Sequence, residues 1–208
     1  MSVITYSFIL KPKRYLVSLL AIVCILVACH LVLGYINYNI VEVPWLLIQL
    51  FHLDEENNIP TWFSSFLLLN VAFFLFLKFQ STSVFKTHWL LVSLGFLILS
   101  LDEVAGLHET FNTAIDISWV YPAAALLFVI GLFFVPFALS LSKFLFSGFL
   151  LSALVFFGGA IGVELVSEDM DEETFAYIVA TAIEEGMEMI GACMFMFMSQ
   201  NTLKDSAA

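Results

Sequence analysis

Three glutamates within five residues, Glu184, Glu185 and Glu188, interrupt an apolar stretch that otherwise reads as a membrane-spanning helix. Each carboxylate near a bilayer centre opposes insertion by about 2.5 to 3.5 kcal/mol, so three together need compensation from their surroundings. A helical residue turns the chain by about 100°, which puts Glu184 and Glu185 on either side of Glu188 in one arc with Thr181 and Gly191. That face must meet protons, cations, water or polar groups of other helices. The complement is a second ionisable segment, Asp102, Glu103, His108 and Glu109, in which Asp102 and Glu109 share a helix face and Glu103 and His108 flank it. Glu164 and His30 are two further ionisable groups in apolar surroundings.

These residue types permit two chemistries. Hard carboxylate oxygens with one or two imidazoles suit a divalent metal such as Zn, Mn, Fe or Ca. The candidate ligands are Asp102, Glu103, His108, Glu109, Glu164, Glu184, Glu185, Glu188 and His30. Without a metal, carboxylates packed together cannot all ionise and must share protons. If the protein is an enzyme, Glu185 is the acid left to act as general base. Each group also has a plainer reading. The glutamates can be hydrogen-bonded struts between helices, and a histidine such as His30 more often bonds a backbone carbonyl in a core. His52 and His88 read as interfacial, and the acidic runs 54–56 and 168–173 as a solvated rim. Met187, Met189, Cys193, Met194, Met196 and Met198 read as core packing, because no Cys-x-x-Cys accompanies them.

The elements that must position these groups follow from composition. The chain has 208 residues, 62% hydrophobic and 12% charged, with a mean hydropathy of +1.01, which places it among polytopic membrane proteins with one integral domain, 1–208. A net charge of −11 argues against a nucleic-acid partner. Cys24, Cys29 and Cys193 fall inside apolar runs, so no disulfide framework is indicated. Lys11-Pro12-Lys13-Arg14 before an apolar run resembles a signal peptide, but the run continues to Ile36, long enough to span.

The sequence predicts an all-α bundle of six transmembrane helices, at about 14–36, 60–78, 87–107, 118–140, 142–166 and 174–199. A short interfacial helix over Pro44–His52 is expected between spans 1 and 2. With both termini cytoplasmic, Lys11, Lys13, Arg14, Lys78, Lys86, Lys143 and Lys204 all fall on the inner side, as the positive-inside rule requires. Trp45, Trp62 and Trp119 then lie near the outer boundary and Trp89 near the inner one. The small residues Gly158, Gly159, Ala160 and Gly162 mark a close helix approach before Glu164. Ionisable groups are expected in the outer half of the bilayer, with an apolar inner half.

Phe51-His52-Leu53-Asp54-Glu55-Glu56-Asn57-Asn58-Ile59-Pro60-Thr61-Trp62-Phe63-Ser64, Leu101-Asp102-Glu103 with His108-Glu109, and Glu184-Glu185-x-x-Glu188-x-x-Gly191 resemble a group of uncharacterised bacterial multi-pass membrane proteins. The resemblance implies a bacterial inner (plasma) membrane location and carries no activity. Alkaline ceramidase and adiponectin-receptor-like hydrolases are superficially similar, with a Ser, an Asp and three His around zinc. Here Ser100, Asp102 and His108 occur without His-x-x-x-His, so that site is not expected. The Glu-x-x-His pairs of ferritin-like di-iron bundles are absent too.

Three functions remain. The first is a channel, transporter or sensor whose carboxylate and histidine cluster binds a divalent cation or relays protons. The second is a membrane-embedded metal-dependent enzyme acting on a lipid or quinone-like substrate from the outer leaflet. The third is a small subunit of a larger membrane complex, its acids paired with a partner's basic residues. The expected partners are the bilayer, a cation or lipid ligand, and a second copy or membrane-complex subunit.

Overall fold

The computed structural model describes residues 11–108, 110–111 and 118–204. Seven helices follow one another among them, and no strand occurs among the described residues. They are α1 (Pro12–Asn39), α2 (Trp45–Phe51), α3 (Ile59–Ser81), α4 (Lys86–Ala105), α5 (Val120–Ser140), α6 (Lys143–Ser167) and α7 (Phe175–Lys204). Five of them, α1, α3, α4, α5 and α6, are long and apolar enough to cross a membrane. The remaining long helix, α7, has 30 residues and carries the three glutamates near its middle.

α7 is the axis of the packing. It lies against α1, α3 and α6, while α3 and α4 form an extensive pair beside it. Its buried side chains run from Ile178 to Thr202 and occupy much of its circumference. A helix surrounded in this way need not present its acids to lipid, which resolves the conflict between composition and length. α5 is peripheral, buried at Val120 and Phe137, with the Phe137 ring edge-on to Trp89 at 4.8 Å. Trp89 is 5% exposed, so it is a core residue and not the inner-boundary belt residue that its position suggested. Trp62, 72% exposed, does lie on the outside.

Local chemistry sets the boundaries. Asn58 caps α3 by accepting the Thr61 N–H at 3.1 Å, and Pro60 sits in the first turn, where no N–H is needed. The Asn58 amide also donates to the carbonyls of Gln49 and His52, at 3.1 and 2.6 Å, which ties the short helix α2 to the start of α3. α4 stops at Gly106, whose φ of +53° is the left-handed cap that glycine adopts freely. At the other end of the bundle, Lys78 Nζ donates to the Thr202 carbonyl at 3.0 Å, where a cation complements the C-terminal end of α7.

α6 is irregular. It is α-helical over Lys143–Phe157, forms a π-turn over Gly158–Val163 and resumes as α-helix over Glu164–Ser167. The small residues let it touch α7 backbone to backbone. A Cβ at Gly191 would meet the Phe156 nitrogen at 2.7 Å, and one at Gly159 would meet the Glu184 carbonyl oxygen at 2.7 Å. The close approach expected from Gly158–Gly162 is therefore made against the acidic helix itself.

Candidate functional site: a half-buried carboxyl cluster

Four separated stretches deliver carboxyls to one region. α7 supplies Glu184, Glu185 and Glu188, α6 supplies Glu164, α4 supplies Glu103 and Asp102, and the loop between α2 and α3 supplies Asp54. Glu185 lies within electrostatic reach of Glu188, Glu103, Glu184 and Asp54, and Glu188 within reach of Glu103, Glu184, Glu164 and Asp102. The seven Lys and Arg residues belong to the opposite ends of their helices. The acids are thus close to one another and far from the chain's own cations, an arrangement tolerable only when protons or bound cations offset the charge.

The outermost contact of the cluster shows how. The carboxyls of Glu164 and Glu184 lie side by side between α6 and α7. Two ionised carboxylates this close repel, so the contact favours a proton or a cation between α6 and α7. Ser167 Oγ donates to Glu184 Oε2 at 3.4 Å from the turn below Glu164. Gly159 makes the pairing reachable, since its missing side chain leaves room for the Glu184 backbone and the Glu188 Cγ, 3.2 Å from where a Cβ would stand.

Deeper in, Glu103 lies beside the buried Ser64 of α3. Its neighbour Asp102 serves a different end. One Asp102 oxygen accepts the His108 backbone N–H and the other meets His108 Nδ1, both at 3.1 Å. Asp102 therefore orients His108 and closes the turn after α4, while the ring of Trp119 lies 5.2 Å from the imidazole. Glu109 lies outside the described residues.

His30 lies at the edge of this cluster, within electrostatic reach of Asp54. Its Nδ1 accepts the Leu53 N–H at 3.2 Å, so the ring proton is on Nε2, which donates to the Ile178 carbonyl at 3.1 Å. Both nitrogens are committed, which leaves no lone pair for a metal and makes His30 a strut linking α1, the loop and α7. Among the described residues no group of three or more His, Cys, Asp or Glu side chains is set to hold one metal ion. The acids lie near one another without converging on a point.

Sequence reasoning missed the loop 52–58. Its acids read as a solvated rim, and Asp54 and Glu55 are indeed exposed. Yet Leu53 is 3% exposed, Asp54 Oδ2 accepts the Tyr177 hydroxyl at 2.8 Å, and the Glu56 carboxyl presses on Gly106, where a Cβ would meet it at 2.5 Å. Asp54 is consequently both in water and in electrostatic reach of Glu184 and Glu185. The signal available was Leu53 between His52 and Asp54, an apolar anchor that pins the loop. On the other side of the cluster, Phe195 is ringed by Phe96, Phe149 and Phe156 at 4.8, 6.2 and 6.3 Å, and this aromatic layer separates the acids from the end that carries the lysines.

A family model described as "Domain of unknown function (DUF8692)" matches residues 18–201, nearly the whole chain. The chain belongs to this family. The matched region contains every member of the DUF8692 carboxyl cluster, from Asp54 to Glu188. No curated protein and no solved structure matches the chain.

Proposed function

We propose that this DUF8692 protein is a proton-handling membrane protein, a transporter or sensor whose half-buried carboxyl cluster takes up protons from one side of the bilayer. The observation that carries this reading is the pairing of the Glu164 and Glu184 carboxyls between two helices, within reach of exposed Asp54 at one end and of Glu185, Glu188 and Glu103 at the other. Asp54 is the water-side entry, the pair is the first store, and the three deeper acids are the terminal one. α7 counts as a sixth crossing, with its acids shielded by α1, α3 and α6. The termini and all Lys and Arg are then cytoplasmic, the cluster lies in the outer half, and the host is a bacterial plasma membrane.

Protons are favoured over a divalent cation because no three ligands converge among the described residues, whereas a proton needs one pair. In a weakly buffered detergent solution, acidification should load protons onto the wild-type protein in excess over the Glu184→Gln/Glu188→Gln variant. Metal analysis runs in parallel. Stoichiometric Zn, Mn, Fe or Ca lost in the variant, with no difference in proton uptake, overturns the proton reading in favour of the cation one.

A second reading, a metal-dependent enzyme acting on a lipid or quinone-like molecule from the outer leaflet, is favoured by the Asp102–His108 pair. A carboxylate that orients an imidazole through Nδ1 is the usual support of a general base or metal ligand. Glu185 would then be a base beside it. Turnover of outer-leaflet lipid or quinone that fails in His108→Ala would move the assignment to this reading.

A further inference from the structure

The π-turn of α6 has an angular consequence for the proton pair. Ser152, which is fully buried, marks the face that α6 turns toward the bundle interior. In an uninterrupted α-helix Glu164, twelve positions on, would point about 120° away from Ser152, and Val163 would stand within about 20° of it. The π-turn over Gly158–Val163 absorbs one extra residue, so Glu164 takes the place Val163 would have had and Ser167 comes in beside it. The pair with Glu184 exists because the helix is wound one residue wide.

We infer that this turn is the switch of the site: winding Gly158–Val163 back into α-helix swings Glu164 out of the cluster, puts Val163 in its place and parts the two carboxyls. Two observations make the exchange feasible. Gly162 has open space where a Cβ would be, so nothing wedges the turn in its wide form, and the α-helix after it extends only over Glu164–Ser167, a short piece to rotate. The alternative register places an apolar side chain against Glu184, which removes the second carboxyl of the pair. The inference rests on the proton-handling reading for its meaning and on backbone geometry for its existence, and the two are tested separately.

The test uses cysteine cross-linking in protein whose Cys24, Cys29 and Cys193 are replaced by serine or alanine. Glu164→Cys/Glu184→Cys reports the wide register and Val163→Cys/Glu184→Cys the α register. The first pair should oxidise quickly, and the second several-fold more slowly but to completion. Adding Gly162→Ala, which favours α-helix and meets no neighbour, should reverse the order. Deleting Ile161 removes the extra residue, so the acid position should keep its cross-link to position 184 while the valine position loses its own. Failure of the Val163→Cys pair to cross-link even with Gly162→Ala overturns the switch. A result in which registers exchange while infrared spectra of wild type and Glu184→Gln show no difference in protonated carboxyl leaves the switch standing and overturns the proton reading.

Discussion

At the scale of single residues, the acids and the histidines divide by what they can exchange. His30 has both ring nitrogens bonded to backbone, so its role is support. His30→Leu should orphan the Leu53 N–H beneath the loop at a cost of about 1–3 kcal/mol. The check is thermal unfolding in detergent, with an unchanged protonated-carboxyl signal separating support from participation. Tyr177→Phe removes the donor to Asp54, a contact worth about 1 kcal/mol, and frees the loop over the cluster. Hydrogen exchange should rise at 53–58 and stay unchanged at the α6–α7 contact. Glu184→Gln is different in kind, because its amide can still donate to Glu164 but holds no transferable proton. That variant should fold normally and lose proton uptake.

At the scale of elements, the α6–α7 contact decides whether the acids meet. A side chain at Gly191 would strike the Phe156 backbone, which cannot move without shifting α6. Gly191→Val should therefore cost about 1–3 kcal/mol or more, as overpacking does, and should weaken the Glu164–Glu184 pair 10 Å or so along the helix. Gly95→Ala is the control, since nothing lies near its missing Cβ and an alanine in the interior of α4 should stabilise by about 0.5–1 kcal/mol. Parallel unfolding curves of the two variants check both signs. The elements were largely legible in the sequence, because runs of apolar residues with Pro60, Asn58 and Gly106 at their edges state where helices begin and end. The π-turn was not, since GGAIG announces close packing but not how many residues a turn will take up. Nor was the burial of Trp89, because a tryptophan near the end of a span reads the same whether it faces lipid or Phe137.

At the scale of the whole molecule, five helices are long and apolar enough to cross a membrane, and α7, read from the sequence as a sixth span, falls outside that set. Its three glutamates lower its hydropathy. The gathering of acids was foreseeable from their shared depth, but the partners of each were not. Which side chain reaches which depends on helix rotation, and that is why His30 and Asp102 took structural duties that their residue types do not exclude. The crossing of α7 is checked in sealed, oriented vesicles carrying single cysteines in a cysteine-free background. Asp169→Cys should react with an impermeant maleimide from the outside, and Lys204→Cys, at the other end of α7, only after the membrane is opened. Both reacting from one side would mean that α7 does not cross.

The most direct measurement is the infrared spectrum of the purified protein, read for the carbonyl stretch of a protonated carboxyl and its shift on deuterium exchange. A proton shared between Glu164 and Glu184 predicts such a band in the wild type and the loss of the same component of it in Glu164→Gln and in Glu184→Gln, because either substitution removes one of the two carboxyls that share the proton. A band untouched by both substitutions, or no band at all, would contradict a proton stored between α6 and α7.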